Sequence, residues 1–551
     1  MSNVKIRCRN NGKTIGMPVG CTLHEVYAQS GQDMKYGPVS ARVNNKVQGL
    51  NYRFYNSKDV EFLDMHSPSG RRVYSRTLFF VLAKAVEDLY DVASLRIEAS
   101  VSNGYYCELE IGREVLNADV AYIKSRMQQI IDSKMPIHRI QCPIEDAIDL
   151  FRSKGMESKA QLLESQTNLY AYYYQLGDTV DYFYSCLLTN TGDIHLFDLV
   201  PLGEGLLLRI PSLKDPGVLD SMPEQTKALE VIREHHRWQK ILGVHTVGEV
   251  NNVIKQGKAA ELINVSEALQ EKKLSKIADE IVERKAKIVL LAGPSSSGKT
   301  TTSKRLSVLM MAAGLRPHTL STDDYFVNRV DTPLDENGEY DFECIGAEDT
   351  DLFNKQMSLL LAGEEVELPR YDFQKGERVY EGRKLRLSPD DVIIIEGNHA
   401  LNPIMSAQIP EKDKYRVYVS AITAVALDDH NFVPTIDVRL LRRILRDYLY
   451  RGFSAKDTIH RCPSVTAGEE KWITPFQENA DAVFNSALPY ELGVIRSRIM
   501  PILEQVNERD VEYAEASRLR KFLKYFIPVP DSQVPPTSLL REFAGGSSFK
   551  Y

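Results

Sequence analysis

The sequence predicts an α/β protein whose C-terminal half is a parallel sheet with helices on both faces. In that half, apolar runs such as "KIVLLAG" and "VIIIEGNHAL" alternate with stretches of helical periodicity such as "TTSKRLSVLMMAAG". Strands that alternate with helices build parallel sheets through crossover connections. Ahead of this half, short strand-like runs broken by Gly and Asn predict two smaller α+β units, and 551 residues exceed what one ordinary core holds.

Four segments follow from the patterns along the chain. Residues 1–65 alternate strand-like runs with one helical piece, "TLHEVYAQSG", and predict a small α+β module. Residues 66–213 predict a second α+β unit, in which Asn103-Gly104 joins two strand-like runs as a hairpin. Residues 214–284 predict a charged helical connector. Residues 285–551 hold the parallel sheet and end in a segment rich in Pro, Gly and Ser, either a loose tail or a docked strap.

Composition and charge narrow the class of protein. With 43% hydrophobic and 26% charged residues the chain is a globular protein, and a net charge of -7 argues against a protein that coats nucleic acid. Seven scattered cysteines without a C-x-x-C pair predict reduced thiols rather than a disulfide framework or a zinc ribbon. The first residues lack the apolar core of a signal peptide, and no apolar run is long enough to span a bilayer. We therefore expect a cytoplasmic protein.

The stretch "GPSSSGKT" is the strongest motif in the chain. It fits G-x-x-x-x-G-K-[ST], with an apolar strand before it and a helix after it. The backbone N–H groups of such a loop bind phosphate oxygens, Lys299 is expected to reach the β and γ phosphates, and Thr300 to ligate Mg²⁺. No N-K-x-D stretch follows, which favours ATP over GTP. The predicted ATP site comprises Gly293, Pro294, Ser295, Ser296, Ser297, Gly298, Lys299, Thr300 and Thr301.

Carboxylates follow at the ends of two further strands. "STDDYF" places Asp323 at the carboxyl edge of the sheet, where an acid can accept the proton of an attacking hydroxyl. The alternative is that Asp323 and Asp324 only cap a helix. Glu396 ends the strand "VIIIE" and is predicted to bind Mg²⁺ directly or through a water.

A row of arginines follows on a predicted helix. Arg439, Arg442 or Arg443, and Arg446 share one face of it, and Arg451 comes at its end. Such a face is either a solvated salt-bridge surface or a lid that neutralises a transferring phosphoryl group. The phosphate loop and the two carboxylates favour the lid.

Taken together, these motifs resemble the uridine kinase and phosphoribulokinase branch of P-loop kinases. "GPSSSGKTT", "STDDYF", "PRYDF", "VIIIEG" and "RRILRDYLYRG" occur in the order of that family between about residues 286 and 500. The resemblance implies an ATP- and Mg²⁺-dependent kinase of a nucleoside 5′-hydroxyl, with uridine or cytidine as the expected small-molecule partner. It implies that Asp323 is the general base, with Lys299, Arg446 and Arg451 as catalytic cations. It also implies substrate contacts from Asp323, Tyr325, Phe326, Glu343, Tyr371, Phe373, Arg378 and Arg443.

One departure leaves the acceptor open. Nucleoside kinases of this family usually carry a His five residues after the tyrosine that matches Tyr371, and here Gly376 stands in its place. Arg378 is kept. Within the same chemistry, the acceptor is therefore also open to a purine nucleoside or a non-nucleoside sugar.

The N-terminal half resembles the front end of threonyl-tRNA synthetases. Residues 1–65 are similar to a TGS-type β-grasp module, and "RTLFFVLAKAVEDLY", "NGYYCELE" and "LLTNTGDIHLFDL" follow the order of the second additional, editing-like domain. The positions of that domain's metal-binding His and Cys residues carry Arg76, Phe80, Phe183 and Leu187. Arginine, leucine and phenylalanine are not zinc ligands, so we do not expect tRNA deacylation. What remains is a scaffold that binds RNA, a small regulator or the kinase domain.

Two other polar stretches receive structural interpretations. His235 and His236 are neighbours on a predicted helix and point in different directions, so they predict no metal site. "DDHNF" at 428–432 predicts a polar loop. We also expect a fragment that begins near Glu280 to bind ATP.

A different class of function stays open beside the kinase. The protein could be an RNA-associated or regulatory ATP-binding protein, in which the phosphate loop acts as a switch. A switch needs neither a base nor an acceptor pocket, and the presence of Asp323, Glu343 and Tyr371 favours the enzyme. RNA binding by the N-terminal half and assembly into homo-oligomers are not predicted either way.

Overall fold

The computed structural model describes residues 3–223, 225–335, 338–422 and 424–551. Its first sheet contains β1 (Asn3–Cys8), β2 (Thr14–Pro18), β3 (Ser40–Val43), β4 (Lys46–Gln48) and β5 (Lys58–Leu63), in the spatial order β2-β1-β5-β3-β4. Helix α1 (Leu23–Ser30) begins at a capping box of Thr22 and Glu25 and buries Leu23 and Val26 against this sheet. The N-terminal module is therefore a mixed sheet with one helix, as predicted.

The second unit is built on a long buried helix and two antiparallel sheets. Its elements are α2 (Pro68–Leu89), β6 (Ser94–Val101), β7 (Gly104–Glu110), α3 (Asn117–Asp132), β8 (His138–Pro143), α4 (Ile144–Ser153), α5 (Glu157–Glu164), β9 (Tyr170–Leu176), β10 (Thr179–Asp181), β11 (Asp198–Leu202) and β12 (Gly205–Arg209). The sheets have the orders β10-β9-β8 and β11-β12-β7-β6. Most of α2 is buried, and its apolar stretch 78–83 lies among the apolar side chains of this unit.

The predicted hairpin forms one residue earlier than expected. Val101 pairs with Gly104, so the two loop residues are Ser102 and Asn103, both with positive φ values of 49° and 58°. A two-residue loop of this type requires positive φ at both positions, and Gly104 is the first residue of β7 instead.

The connector consists of three helices, α6 (Thr226–Leu242), α7 (Val247–Lys255) and α8 (Ala259–Arg284). Leu274, Ile277, Ala278 and Ile281 of α8 are buried with apolar residues of the C-terminal sheet. A fragment that begins near Glu280 would lose three of these four side chains from the core. We therefore now expect such a fragment to be unstable, which revises the expectation drawn from the sequence.

The C-terminal half contains the predicted parallel sheet. Its elements are β13 (Ile288–Ala292), α9 (Lys299–Ala312), β14 (Arg316–Ser321), α10 (Thr350–Leu361), β15 (Val366–Asp372), β16 (Glu377–Leu385), β17 (Asp391–Glu396), β18 (Lys414–Ser420), α11 (Thr435–Tyr450), α12 (Ala455–Trp472), β19 (Ala482–Asn485), α13 (Glu491–Glu504), α14 (Tyr513–Leu523) and α15 (Arg541–Ala544). The order β14-β17-β13-β18-β19 is parallel throughout. Strands β15 and β16 form a separate antiparallel hairpin.

One hydrophobic cluster joins the two halves of the chain. It contains Phe151 and Leu162 of the second unit, Val247 of the connector, and Leu441 and Phe522 of the C-terminal half. An ion cluster lies beside it, in which the buried ammonium of Lys159 lies 2.7 Å from Asp181 and 2.8 Å from Asp428. The predicted polar loop "DDHNF" thus contributes to the contact between the halves, because His430 also lies 2.7 Å from Asp181.

The end of the chain is a docked strap. We call residues 531–551 the C-terminal strap. Within it Leu539, Leu540 and Phe543 are fully buried, and Arg498 on α13 donates a hydrogen bond of 2.7 Å to the carbonyl of Ala544. Of the two forms that the sequence left open, the structure shows the docked one. No helix of the described residues is long and apolar enough to cross a membrane.

Candidate active site

Three neighbouring strands bring the predicted site residues to one edge of the parallel sheet. Strand β17 lies between β14 and β13, and Glu396 at its end pairs with Ser321 on one side and Leu291 on the other. The phosphate loop follows β13 directly, and Asp323 lies two residues after β14. Because parallel strands end at the same edge, residues more than 70 positions apart in sequence meet there. This confirms the predicted arrangement of the sheet edge.

The phosphate loop is compact and tightly surrounded. Gly298 has a φ of 89°, and a Cβ at this position would lie 2.5 Å from a methyl carbon of Leu539 in the C-terminal strap. A residue with a side chain would therefore be strained there and would also clash. Helix α9 begins at Lys299, so its first N–H groups point into the loop.

Lys299 is held by the loop itself. Its ammonium donates hydrogen bonds to the carbonyl of Gly293 at 2.7 Å, to that of Pro294 at 3.3 Å and to Oδ1 of Asn398 at 2.9 Å. Burial lowers the pKa of Lys299, and the negative charges of Glu396 and of other nearby carboxylates act in the opposite direction. Asn398, in "EGNHAL", was not identified from the sequence.

Two carboxylates that the sequence did not indicate accept hydrogen bonds from backbone N–H groups in and next to the loop. Ser295 N–H donates to Oε1 of Glu469 on α12 at 3.0 Å, and Thr301 N–H donates to Oε2 of Glu542 in the strap at 3.1 Å. The Thr301 hydroxyl also donates to Glu542 at 2.7 Å and lies 2.8 Å from the hydroxyl of Tyr551. Carboxylate oxygens thus bind where the loop geometry suits phosphate oxygens.

The residues predicted to hold Mg²⁺ are in contact. The Thr300 hydroxyl donates to Oε1 of Glu396 at 3.0 Å, while Oε2 of Glu396 is buried without a hydrogen-bond partner among the described residues. Burial raises the pKa of Glu396 to about 7, against the effect of the Lys299 charge. Hydroxyl and carboxylate oxygens are the hard ligands that Mg²⁺ prefers, so this pair fits the ion.

Asp323 lies in a short 3-10 turn, Thr322–Tyr325, which Ser321 caps. Burial raises the pKa of Asp323, and the charges of Lys299 and Arg451 oppose this shift. The neighbouring carboxylate of Asp324 accepts a hydrogen bond of 3.4 Å from the backbone N–H of Tyr371. The two aspartates therefore differ: Asp324 binds the backbone of β15, and the charges of Lys299 and Arg451 act on Asp323.

Beyond Asp323 lies a group of three aromatic rings. Tyr371 packs edge-on against Phe326, with 5.5 Å between ring centroids, and against Phe373, with 5.0 Å. Such edge-to-face pairs are the favourable geometry for aromatic rings. Phe373 is largely exposed, so this cluster presents an aromatic surface close to Asp323. The structure thus brings these three predicted acceptor residues together.

Glu343 is another predicted substrate contact, and it packs against Gly468 of α12. Burial raises its pKa to about 7, the charge of Glu469 adds to this, and the cations Arg443 and Lys299 oppose it. The Arg443 guanidinium lies 3.6 Å from Glu469. The charges of Arg443 and Lys299 thus act on Glu343, and the predicted substrate contacts of Glu343 and Arg443 stay predictions.

Two predicted substrate contacts are wrong. The ring of Tyr325 is buried in the core beside Phe353, and its hydroxyl donates to Gln356 at 2.9 Å. The Arg378 guanidinium donates to Asp349 at 2.9 Å and to the carbonyl of Phe326 at 3.0 Å. Both residues hold the Asp323 turn in place and do not face an acceptor.

Gly376, where the family pattern has a His, closes the turn between β15 and β16. Its φ is 74°, and a Cβ there would lie 2.9 Å from side-chain atoms of Arg329. Arg329 in turn donates to the carbonyl of Phe373 at 2.7 Å. The Arg329 guanidinium therefore lies beside the aromatic rings, near the position of the family's histidine. The motif gave no indication of Arg329.

The arginine helix α11 is neither a solvated surface nor, for most of its arginines, a lid. Arg439 is paired with Glu469 at 2.7 Å, and Arg442 is fully buried and paired with Glu491 at 2.5 Å. Arg446 contacts the adjacent Asp447 at 2.8 Å. Arg451, at the helix end, is more than half exposed, and its charge acts on Asp323. The lid interpretation thus stays a prediction for Arg451 at the end of the helix.

Apolar side chains surround most of the positions that the sequence aligns with the metal-binding residues of the editing-like domain. Phe80 and Phe183 lie 5.8 Å apart between ring centroids, and Leu187 is buried in the same cluster. The Arg76 guanidinium lies 4.1 Å from the centroid of the Tyr184 ring and contacts the hydroxyl of Ser185. The side chains of these four residues are not metal ligands.

A phosphate loop on a parallel sheet, with an acid and a carboxylate at the adjoining strand ends, defines the class of P-loop kinases. Residues 288–491 match the model of the phosphoribulokinase and uridine kinase family, so the C-terminal half of the chain carries a domain of that family. Outside this domain, the N-terminal half is similar to threonine–tRNA ligases.

Curated relatives and solved structures match different parts of the chain. Threonine–tRNA ligase 2 of Bacillus subtilis is 27% identical over 190 residues, which cover 34% of this chain and 30% of the relative. The ligase of Syntrophotalea carbinolica is 31% identical over 180 residues, which cover 32% and 28%. The chain thus spans less than a third of the length of these relatives.

Among solved structures, a putative fructose transport system kinase from Silicibacter is 19% identical, with a TM-score of 0.26, covering 38% of this chain and 98% of that one. A possible uridine kinase from Bacillus stearothermophilus is 21% identical, with a TM-score of 0.25, covering 39% and 98%.

Proposed function

We propose that this protein is an ATP- and Mg²⁺-dependent kinase that phosphorylates the 5′-hydroxyl of a nucleoside, with uridine and cytidine as its first candidate acceptors. The observation that carries the proposal is the position of Asp323. It lies two residues after β14, at the sheet edge that also holds Glu396, and its turn continues into Phe326, whose ring packs against Tyr371. A base between a phosphoryl donor and an aromatic acceptor surface is what transfer to a nucleoside hydroxyl requires.

Each site residue has a separate role in the proposed phosphoryl transfer. The loop N–H groups and Lys299 hold the phosphates, and Asp323 takes the proton as the acceptor oxygen attacks the γ-phosphorus. Thr300 and Glu396 would hold Mg²⁺, which when bound offsets the negative charge of the transferring group. Arg451, being exposed at the helix end, is the arginine able to approach that charge.

Asp323→Asn tests the role of the base. We expect its turnover to fall by about 10²–10⁴-fold, the usual contribution of general-base catalysis, while the dissociation constant for ATP changes little. Asp390→Asn is the matched control, because Asp390 is an exposed aspartate that lies before β17, away from the site. An Asp323→Asn enzyme with unchanged turnover would remove this residue from the mechanism.

The acceptor is identified by a screen. ADP release from ATP is measured with pyrimidine nucleosides, purine nucleosides and sugars, since Gly376 replaces the family's histidine and Arg329 lies beside it. We expect the highest rate with uridine or cytidine. Rates no higher than the water background with every acceptor would refute the kinase and favour an ATP-binding regulatory protein.

A further inference from the structure

A cavity lined mainly by cations lies where the N-terminal module meets the C-terminal half. Its volume is about 690 Å³, and its walls come mainly from β1, the start of β5, the turn between β3 and β4, and the loop after α13. Five of the lining residues are cations: Lys5, Arg7, Arg9, Lys58 and Arg509. Two are acids: Asp59 and Glu508. A cavity of this volume suits a small-molecule ligand.

The alternation of side chains along β1 brings two of the cations to the cavity. Ile6 and Cys8 are buried in the core of the module, and Lys5 and Arg7 lie on the opposite, exposed face of the strand. Strand β5 runs parallel to β1 and places Asp59 beside Arg7. The basic face therefore follows directly from the sequence of the strand.

A buried amide holds the two walls of the cavity together. Asn45 is only 3% exposed and donates a hydrogen bond of 3.0 Å to the backbone carbonyl of Glu508. Its Oδ1 accepts a hydrogen bond of 2.9 Å from the Arg9 guanidinium. The Lys46 ammonium adds an ion pair of 2.9 Å to the Glu508 carboxylate. The loop that carries Arg509 is thus fixed against the module, and the cavity is preformed.

The two acids leave most of the positive charge of the cavity unpaired. Asp59 accepts a hydrogen bond of 3.0 Å from Nε of Arg7 and lies 3.3 Å from the Arg9 guanidinium. In the described parts of the chain, three of the five cations have no carboxylate partner: Lys5, Lys58 and Arg509. Five cations against two carboxylates leave an excess of three positive charges, in a chain whose net charge is -7. The lining is therefore not a closed network of ion pairs.

We propose that this cavity binds a small ligand that carries two or three phosphate groups in series. Such a ligand has about three or more negative charges at neutral pH, which balance the excess of the lining. Arginine binds phosphate oxygens through its planar fork, and lysine binds them as a point charge. A ligand with a single carboxylate would leave most of the excess unbalanced. The lining residues are all distinct from those of the phosphate loop, so this site does not depend on the proposed kinase reaction.

The backbone of single-stranded RNA is the competing source of phosphate groups. Proteins that bind single strands combine a basic groove with aromatic rings on which the bases stack. The described lining of this cavity contains no aromatic side chain, and its cations converge on one concave space. These two features favour the small ligand.

Calorimetric titration of the full-length protein with inorganic tripolyphosphate, in buffer without divalent ions, tests the site. All proteins carry Lys299→Ala, which weakens phosphate binding at the phosphate loop, and the same comparison is repeated with Lys299 intact. The test variant combines Lys5→Gln and Lys58→Gln. The matched control combines Lys240→Gln and Lys272→Gln, because these are exposed lysines on α6 and α8. A fluorescent single-stranded oligouridylate is titrated in parallel by anisotropy.

We expect tripolyphosphate to bind the control as tightly as the parent protein and the test variant about 10-fold more weakly, since two hydrogen-bonding cations are lost. Glu508→Gln removes an acid from the lining and should tighten binding by about 2–5-fold. A merely structural role of Glu508 would not give tighter binding.

Two results would overturn the proposal. One is a test variant that binds tripolyphosphate as tightly as the control. The other is RNA binding that depends on Lys5 and Lys58 in a chain that does not bind tripolyphosphate, which would assign the surface to nucleic acid.

Discussion

Replacing Glu542 by Gln should make the protein bind ATP more tightly. In the structure the Glu542 carboxylate accepts hydrogen bonds from the N–H of Thr301 at 3.1 Å and from its hydroxyl at 2.7 Å. The same N–H belongs to the first turn of α9, whose free amides bind phosphate in loops of this type. ATP must therefore displace this carboxylate before its phosphates reach Thr301.

The size of the effect follows from what the substitution removes. Glutamine keeps an acceptor oxygen and loses the negative charge, which at a helix N-terminus contributes about 0.3–1 kcal/mol. A hydrogen bond to a charged group contributes about 1.5–3 kcal/mol, more than one to a neutral group. Because Glu542 is partly exposed, we take about 1 kcal/mol for the charge and hydrogen-bond contributions together. This corresponds to an affinity for ATP about 5-fold higher in Glu542→Gln.

The dissociation constant is measured by titration with a fluorescent ATP analogue, and KM for ATP in the kinase assay. Glu504→Gln is the control, because Glu504 is an exposed glutamate at the end of α13. An unchanged dissociation constant would show that Glu542 does not compete with the nucleotide. A weaker affinity would show that the carboxylate supports the bound nucleotide, and either result would refute the reasoning.

Three further predictions concern stability, measured by urea unfolding. Burial raises the pKa of Glu348 to about 8 from 4.5, so the stability it contributes is complete below pH 4.5 and is lost as the pH rises through 8. The free energy of unfolding of Glu348→Gln should therefore decline less over this pH range, and parallel pH profiles of wild type and variant would contradict the prediction. Gly363→Ala, at a φ of 82° in open space, should lower the free energy of unfolding by about 1–2 kcal/mol. Gly376→Ala should lower it further, because the added Cβ also meets Arg329. Equal losses for the two variants would show that the Arg329 side chain moves away without cost. Arg442→Ala leaves a buried carboxylate unpaired and should cost about 3–5 kcal/mol, and a loss below 1 kcal/mol would mean that the pair is not buried in solution.

Local patterns were enough to predict the sheet edge. The phosphate loop follows the apolar strand β13, Glu396 ends the apolar strand β17 and Asp323 lies two residues after β14, and parallel strands end together. Their convergence therefore needs no knowledge of distant contacts. The aromatic cluster could also be predicted from the sequence. Phe326 lies close to Asp323 along the chain, and Tyr371 and Phe373 belong to the motif "PRYDF".

The errors have a common physical cause. Residue type and spacing do not determine where a side chain points, which is why Tyr325 and Arg378 support the Asp323 turn instead of facing the acceptor. Contacts between distant segments are also invisible in short motifs. Glu542 reaches Thr301 across 241 residues, and Glu469 reaches Ser295 across 174.

The hydrophobic cluster that joins the two halves has a consequence for how the protein unfolds. Its members come from the synthetase-like unit, the connector and the kinase domain, and the Lys159 ion cluster lies at the same junction. Segments that share a core lose their stability together. The kinase domain is thus expected to unfold in one transition with the unit in front of it. The synthetase-like half then serves as a permanent folding partner, and a destabilising substitution in either half is expected to lower the stability of the other.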